Sequence, residues 1–117
     1  RKRTEISLDY DDEPVLPPTV LVATYRVAQE ALNNLTKHAH ASEARIIVHG
    51  GVGYVELRVQ DNGVGFIKEN VRKGFGLQIM RERADEVGAT LDVRSTLGEG
   101  TQVFFRWTQM QEVSEEV

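Results

Sequence analysis

The sequence predicts an α+β fold, a two-layer α/β sandwich with helices on one face of a mixed, mostly antiparallel sheet. Three observations carry this. Segments of two-residue and of helical periodicity follow one another as strand, helix, two strands, loop, helix, two strands. The run Thr19–Ala39 contains neither glycine nor proline. Two pairs of alternating segments surround short glycine-bearing turns, Gly50-Gly51-Val52-Gly53 and Leu97-Gly98-Glu99-Gly100.

The first element, "TEISLDY", alternates over a short distance and reads as a strand, ended by the acidic and proline-rich "DDEPVLPP". The long run then begins behind Pro17 and Pro18, residues that suit a helix start. Leu21, Tyr25, Ala28, Leu32 and Leu35 recur at spacings of four, three, four and three, which makes them the expected apolar stripe of an amphipathic helix from Thr19 to about Ala39. "ARIIVHG" and "YVELRVQD" form a hairpin across "GGVG", and "GVGFIKENVRKGFG" is a charged loop bounded by glycines. Helical spacing returns in "LQIMRERADEVG" through Leu77, Met80, Ala84 and Val87, with Gly88 as the stop. "ATLDVRST" and "GTQVFFRWT" complete the sheet. The expected division is one domain over residues 1–108 and a polar tail over 109–117, with no internal repeat.

At 117 residues one core is the default. A hydrophobic fraction of 40% and a charged fraction of 27% are ordinary for a globular domain. No apolar run approaches the roughly 18 residues of a membrane span, and the basic residues of "RKRTEISLDYDDEP" have no apolar segment behind them, so neither a signal peptide nor direct membrane contact is expected. The absence of cysteine excludes disulfides and thiolate metal sites and is compatible with a cytoplasmic location, whether or not a longer parent protein is membrane-anchored. A net charge of -4 argues against nucleic-acid binding. The isolated domain is expected to be a monomer.

The stretch Asp61-Asn62-Gly63-Val64-Gly65-Phe66 poses a problem. Asp61 continues the register of Val55, Leu57 and Val59, so a carboxylate falls on the apolar side of its strand. An unpaired ionised carboxylate out of water costs several kcal/mol. It therefore stands at a strand end open to water, or meets a hydrogen-bond donor that a ligand is able to supply. Thr101 shares register with Val103, Phe105 and Trp107 and also looks inward. Two inward polar groups want a shared partner.

On the long helix Glu30, Asn34 and Lys37 fall close to one direction, flanked by Arg26 and Asn33, with Leu21, Ala28, Leu32 and Leu35 opposite. Two readings stand: a solvated face, or a carboxylate, an amide and an ammonium arranged for a metal-bound polyphosphate. Adjacent asparagines are poor helix formers and favour the second. Carboxylate and amide oxygens suit Mg²⁺, which keeps several waters and takes one or two protein ligands. The helix opening near Gly76 offers unpaired N–H groups to an anion.

Together "YRVAQEALNNLTKHAHA", "DNGVGF", "GFGLQIMRERA" and "GEGTQVFFRW" resemble, in order, the N box, the two glycine boxes and the terminal Gly-x-Gly-Thr of the ATP-binding domain of sensor histidine kinases. This is the GHKL superfamily, with its Bergerat-type ATP-binding fold, shared with gyrase B subunits, a heat-shock chaperone and mismatch-repair ATPases. "QEALNNLTKHA" and "IMRERA" are similar to the nitrate-sensor and desaturase-regulator branch. The resemblance covers roughly Thr4 to Thr108.

The resemblance implies ATP and Mg²⁺ as ligands. Asp61 would accept from the adenine amino group, with Thr101 and a water completing the contact, while Gly63 and Gly65 let the chain turn against the base. Asn34 would coordinate Mg²⁺ and Glu30 would act through water, and these two with Lys37 form the implied catalytic set. Lys37 and His38 would reach the phosphates. Gly74 and Gly76 would hinge a lid and bring the helix N-terminus to the triphosphate, and Phe66, Phe75 and Leu77 fall within the same ATP-binding boxes. The implied activity is transfer of the γ-phosphate to a histidine on a dimerisation and phosphotransfer domain absent from this sequence, with a response regulator downstream. His38, His40 and His49 lie outside the acceptor motif; the last two read as ordinary surface residues. The loop Ile67–Lys73 is short for the family, and Phe75 stands where this branch often has tyrosine. Two other readings share the fold: a serine kinase of the anti-sigma-factor type, and a nucleotide-binding module without catalysis.

Overall fold

A computed structural model of the chain describes residues 4–66 and 76–109; of residues 38 and 39 it describes the backbone alone. The elements run β1 (Glu5–Tyr10), α1 (Pro18–Asn34), a π-helical turn (Leu35–Ala39), β2 (Glu43–Gly51), β3 (Tyr54–Asp61), α2 (Leu77–Val87), β4 (Thr90–Thr96) and β5 (Gly100–Thr108). They build one sheet in the order β1-β2-β3-β5-β4. All neighbours are antiparallel except β1 and β2. That parallel pair is joined through α1, as the long crossover between parallel strands requires. The predicted two-layer α+β architecture is the one observed.

Alternation along each strand becomes rows of side chains across the sheet. Leu8, Ile46, Val59, Val103 and Val93 stand in one row, and Tyr10, Val48, Leu57, Phe105 and Leu91 in the next. The helices cover the β3, β5 and β4 part of these rows and leave Leu8 and Tyr10 of β1 exposed: α1 buries Val20, Ala23, Val27 and Ala31, and α2 buries Met80 and Ala84. Burial of this apolar area is the main stabilising term, at roughly 25 cal/mol per Å². Trp107 anchors the far end, its indole N–H donating to the Val87 carbonyl at 2.8 Å. Gly88 follows α2 with φ 75°, the left-handed stop that the sequence predicts.

The expected apolar stripe of α1 is corrected by the structure. Leu21 and Tyr25 are 54% and 61% exposed, and Ala28 and Leu32 meet the core only at its edge. Of the five, Leu35 alone is fully buried. The buried stripe sits about a third of a turn away. Apolar residues occupy two adjoining flanks of α1, and spacing cannot choose between them. The flank of Ala23, Val27 and Ala31 is the smaller-grained one, so it lets the helix settle closely against α2, its main neighbour, and on β3 and β5 beneath. One consequence reaches the functional residues. Rotation brings Glu30 and Asn34 from the expected far side to the border of the core, and both are half-buried.

The end of α1 also departs from expectation. Immediately after Asn33-Asn34 the helix widens into the π turn, and it ends at His40 in the left-handed region with φ 53°. The Thr36 hydroxyl donates to the Asn33 carbonyl at 3.0 Å there. Asparagine holds a regular helix weakly, and single π turns occur where a helix gives up regularity to place side chains.

Candidate functional site

At one end of the sheet the apolar rows give way to a polar one. Ala44, Asp61, Thr101 and Ser95 face one another across β2, β3, β5 and β4. Asp61 is the last residue of β3 and is half-buried. Its carboxylate accepts the Gly63 N–H at 2.8 Å. Desolvation raises its pKa above the ordinary 3.8, opposed by the backbone N–H groups of Gly63 and Thr101. The inward carboxylate is thus met in part by protein donors and keeps an open side.

The turn after Asp61 is held by the turn between β4 and β5. Gly98 N–H donates to the Val64 carbonyl at 2.7 Å, and Phe66 N–H donates to Ser95 Oγ at 2.8 Å. Between them Gly65 adopts φ 69°, and a Cβ there would overlap the Thr96 carbonyl. A Cβ on Gly100, at φ 110°, would overlap the Asp61 carbonyl. The two loops therefore approach backbone to backbone, and glycine is what permits it. Ser95 Oγ also lies 2.8 Å from Thr101 Oγ1 and 3.3 Å from the Gly100 carbonyl.

Asn62 fixes the same turn from the other side. Its Oδ1 accepts the backbone N–H groups of Ser42 and Glu43, each at 3.0 Å, and its Nδ2 donates to Ser42 Oγ at 2.9 Å. The end of β3 is thereby tied to the segment that leaves the π turn, which carries Lys37.

The second cluster lies where α2 begins. Gly76, the N-cap of α2, takes φ 63° and has no side chain with which to cap the helix. The Glu30 carboxylate rests against Gly76, where a Cβ would overlap its Oε1. Glu30 and Asn34 are one turn apart on α1, both half-buried; Lys37 is exposed.

The structure thus brings together Asp61, Gly63, Gly65, Phe66 and Thr101, and separately joins Glu30 to Gly76 with Leu77 at the edge of the core. Asn34 closes α1. Of His38 only the backbone is described, and Gly74 and Phe75 lie outside the described residues, as does all of the tail beyond Gln109. His40 and His49 are surface residues, the latter 2.9 Å from Asp11. Sequence reasoning missed Ser95 and Asn62. The register test that found Thr101 applies equally to Ser95, which follows Leu91 and Val93. Asn62 carried no such signal, since its role is to bind backbone far away in sequence.

The donor set fits a magnesium-bound polyphosphate. Among the described residues no three His, Cys, Asp or Glu side chains gather as a metal-binding group. Glu30 and Asn34 carry side-chain oxygens one turn apart on α1, with Glu30 against the start of α2, and Mg²⁺ takes few protein ligands and fills its octahedron with water and phosphate. A shallow depression of about 350 Å³ on the opposite, open face of the sheet has a different character. Its guanidiniums are already engaged: Arg94 with Asp92 at 2.8 Å, Arg106 with Glu56 at 3.2 Å, and Arg58 and Arg94 stacked 5.2 Å from the Phe104 ring centre.

Comparison with known proteins places these features in context. Residues 19–111 match the family described as histidine kinase-, DNA gyrase B- and HSP90-like ATPase. The chain is 35% identical over 105 residues to the sensor histidine kinase LiaS of Bacillus subtilis, covering 88% of this chain and 29% of that protein. It is 38% identical over 80 residues to the sensor protein VraS of Staphylococcus haemolyticus, covering 68% of this chain and 23% of that one. The chain therefore spans less than a third of the curated relatives it matches. Among solved structures, the histidine kinase domain of the blue-light activated histidine kinase EL346 of Erythrobacter litoralis superposes with a TM-score of 0.71 at 20% identity. That match covers 92% of this chain and 52% of the other, and shows a shared fold.

Proposed function

This chain belongs to the histidine kinase-, DNA gyrase B- and HSP90-like ATPase family, whose nucleotide is ATP, and we propose that it is the catalytic domain of a two-component sensor histidine kinase. In this reading it holds ATP with Mg²⁺ and presents the γ-phosphate to a histidine on the dimerisation domain of the same kinase, from which a response regulator is phosphorylated. The observation that carries the proposal is the Asp61–Thr101 pair at the polar end of the sheet, beside which the fold sets a second cluster, the Glu30 carboxylate against Gly76 at the start of α2. Relatives that are sensor kinases support the histidine reading over the serine-kinase and non-catalytic alternatives. Placement in the nitrate-sensor and desaturase-regulator branch rests on "QEALNNLTKHA" and "IMRERA" alone.

Phosphoryl transfer asks a protein mainly for positioning and charge neutralisation. Asp61 and Thr101 orient the base. Asn34, and Glu30 through water, hold the metal, which when bound neutralises charge on the phosphates. Lys37 adds a mobile point charge from the π turn, with His38 beside it, and the N-terminus of α2 offers backbone donors to the same anion. Gly63 and Gly65 leave room for the base, and Gly74, Phe75 and Gly76 form the lid hinge in this proposal. Among the described residues no helix is long and apolar enough to cross a membrane. The domain is proposed to work in the cytoplasm as a monomeric unit of 1–108 followed by its tail.

Titration of the domain with ATP, with and without Mg²⁺, tests the reading. Saturable binding that tightens with the metal is expected. No saturation at millimolar ATP would refute it. Joined to its dimerisation domain, the protein should acquire acid-labile phosphate from labelled ATP, whereas acid-stable phosphate would indicate a serine kinase.

A further inference from the structure

We propose that Asn62 is a positioning residue for nucleotide binding: it holds the turn that carries Lys37 in a fixed place relative to the strand end that carries Asp61. The inference rests on the nucleotide reading above and adds a residue to it.

A nucleotide reaches from its base to its phosphates, so the two ends of its site bind it best when they are held relative to each other beforehand. Here they come from different elements. Asp61 closes β3, and Lys37 stands in the π turn after α1. The helix side of that turn is held by Leu35, which is buried. The far side leaves through His40, a non-glycine residue at φ 53°, where a side chain is disfavoured. Such a backbone persists only when its surroundings fix it.

Asn62 supplies an anchor just beyond His40, from the base side. Its Oδ1 accepts the N–H groups of Ser42 and Glu43, each at 3.0 Å, which uses both lone pairs. Two backbone donors identify that amide atom as the oxygen, and Nδ2 then donates to Ser42 Oγ at 2.9 Å. The backbone adds the Asn62 N–H, which donates to the Glu43 carbonyl at 3.2 Å. Thr4 Oγ1 and Glu5 N–H hold the same segment, donating to the carbonyls of Ala41 and Ser42 at 2.8 and 2.9 Å, but they tie it to the edge of the sheet and not to Asp61. Asn62 is exposed and so adds nothing to the core, and β2 and β3 already pair as far as Asp61 without it. What its amide adds is the placement of Ser42 and Glu43, and through them of the turn that carries Lys37.

The test is a double-mutant cycle on the 117-residue chain, with ATP and Mg²⁺ titrated by calorimetry into the native protein, Asn62→Ala, Lys37→Ala and the double variant. Lys37→Ala should weaken binding roughly three- to tenfold in the native background. In the Asn62→Ala background the same change should matter little. Asn62→Asp, which keeps an oxygen for both backbone N–H groups, should retain the native dependence on Lys37. A merely structural role would lower ATP affinity and leave the Lys37 factor untouched. A folded Asn62→Ala chain with the native Lys37 factor, or a native chain indifferent to Lys37→Ala, overturns the inference while leaving the nucleotide reading intact. Failure of the native chain to bind ATP overturns both. Asn62→Gln keeps the amide but lengthens it by one methylene, and the same outcomes apply to it if the alanine variant does not fold.

Discussion

The Glu30 carboxylate rests against Gly76, so the polar flank of α1 and the start of α2 meet at a residue with no side chain. Gly76 has a second reason to be glycine, its φ of 63°. Gly76→Ala should cost about 1–2 kcal/mol from the left-handed backbone, and more from the overlap. Gly88→Ala is the control, because Gly88 has φ 75° and nothing within 4 Å of an added Cβ. Urea denaturation should show Gly76→Ala as the more destabilising of the two, with part of the excess removed by adding Glu30→Ala. Equal losses at the two glycines would mean that the carboxylate yields freely.

Asp61 gives a pH signature to the empty domain. Burial raises its pKa above 3.8 in the folded state, so the folded domain binds the proton more tightly than the unfolded chain does. The ionised carboxylate therefore opposes folding at neutral pH, and this opposition fades as pH falls through the raised folded value toward 3.8. Asp61→Asn should raise the melting temperature without nucleotide at pH 7, with a difference that shrinks toward pH 4. The group is half-exposed, which keeps the effect small. A melting temperature lowered by Asp61→Asn at pH 7 would show that the bonds from Gly63 and Thr101 outweigh the desolvation.

Asn34 is proposed to serve the metal, not the base. Asn34→Ala should weaken ATP binding in Mg²⁺ several-fold more than binding in excess chelator, measured by titration under both conditions. Equal losses would remove Asn34 from the metal site.

Much of this was legible in the sequence, and the failures have physical causes. Asp61 and Thr101 were found because a strand has a fixed two-residue period, and the sheet carries them into one row. The position of Gly88 followed from the same local chemistry. Leu21 and Tyr25 were misplaced because a helix with two apolar flanks does not say which one its neighbours, α2 and the sheet, accept; close packing chose the smaller residues. The π turn at Leu35 follows from what Asn33-Asn34 does to a helix end, which spacing does not register. Asn62 acts on backbone twenty residues away, a relation only the folded chain creates.

The central claim is that the inward carboxylate of Asp61 reads the amino group of adenine. Calorimetry of the native chain and Asp61→Asn with ADP and GDP measures it directly. A hydrogen bond to a charged group contributes roughly 1.5–3 kcal/mol, so the substitution should weaken ADP about tenfold to a hundredfold. The native chain should bind GDP poorly, since guanine puts a carbonyl where adenine has the amino group, and Asp61→Asn should narrow the gap. A folded Asp61→Asn domain that binds ADP as tightly as the native one would contradict the claim and leave Asp61 as no more than the cap of its strand.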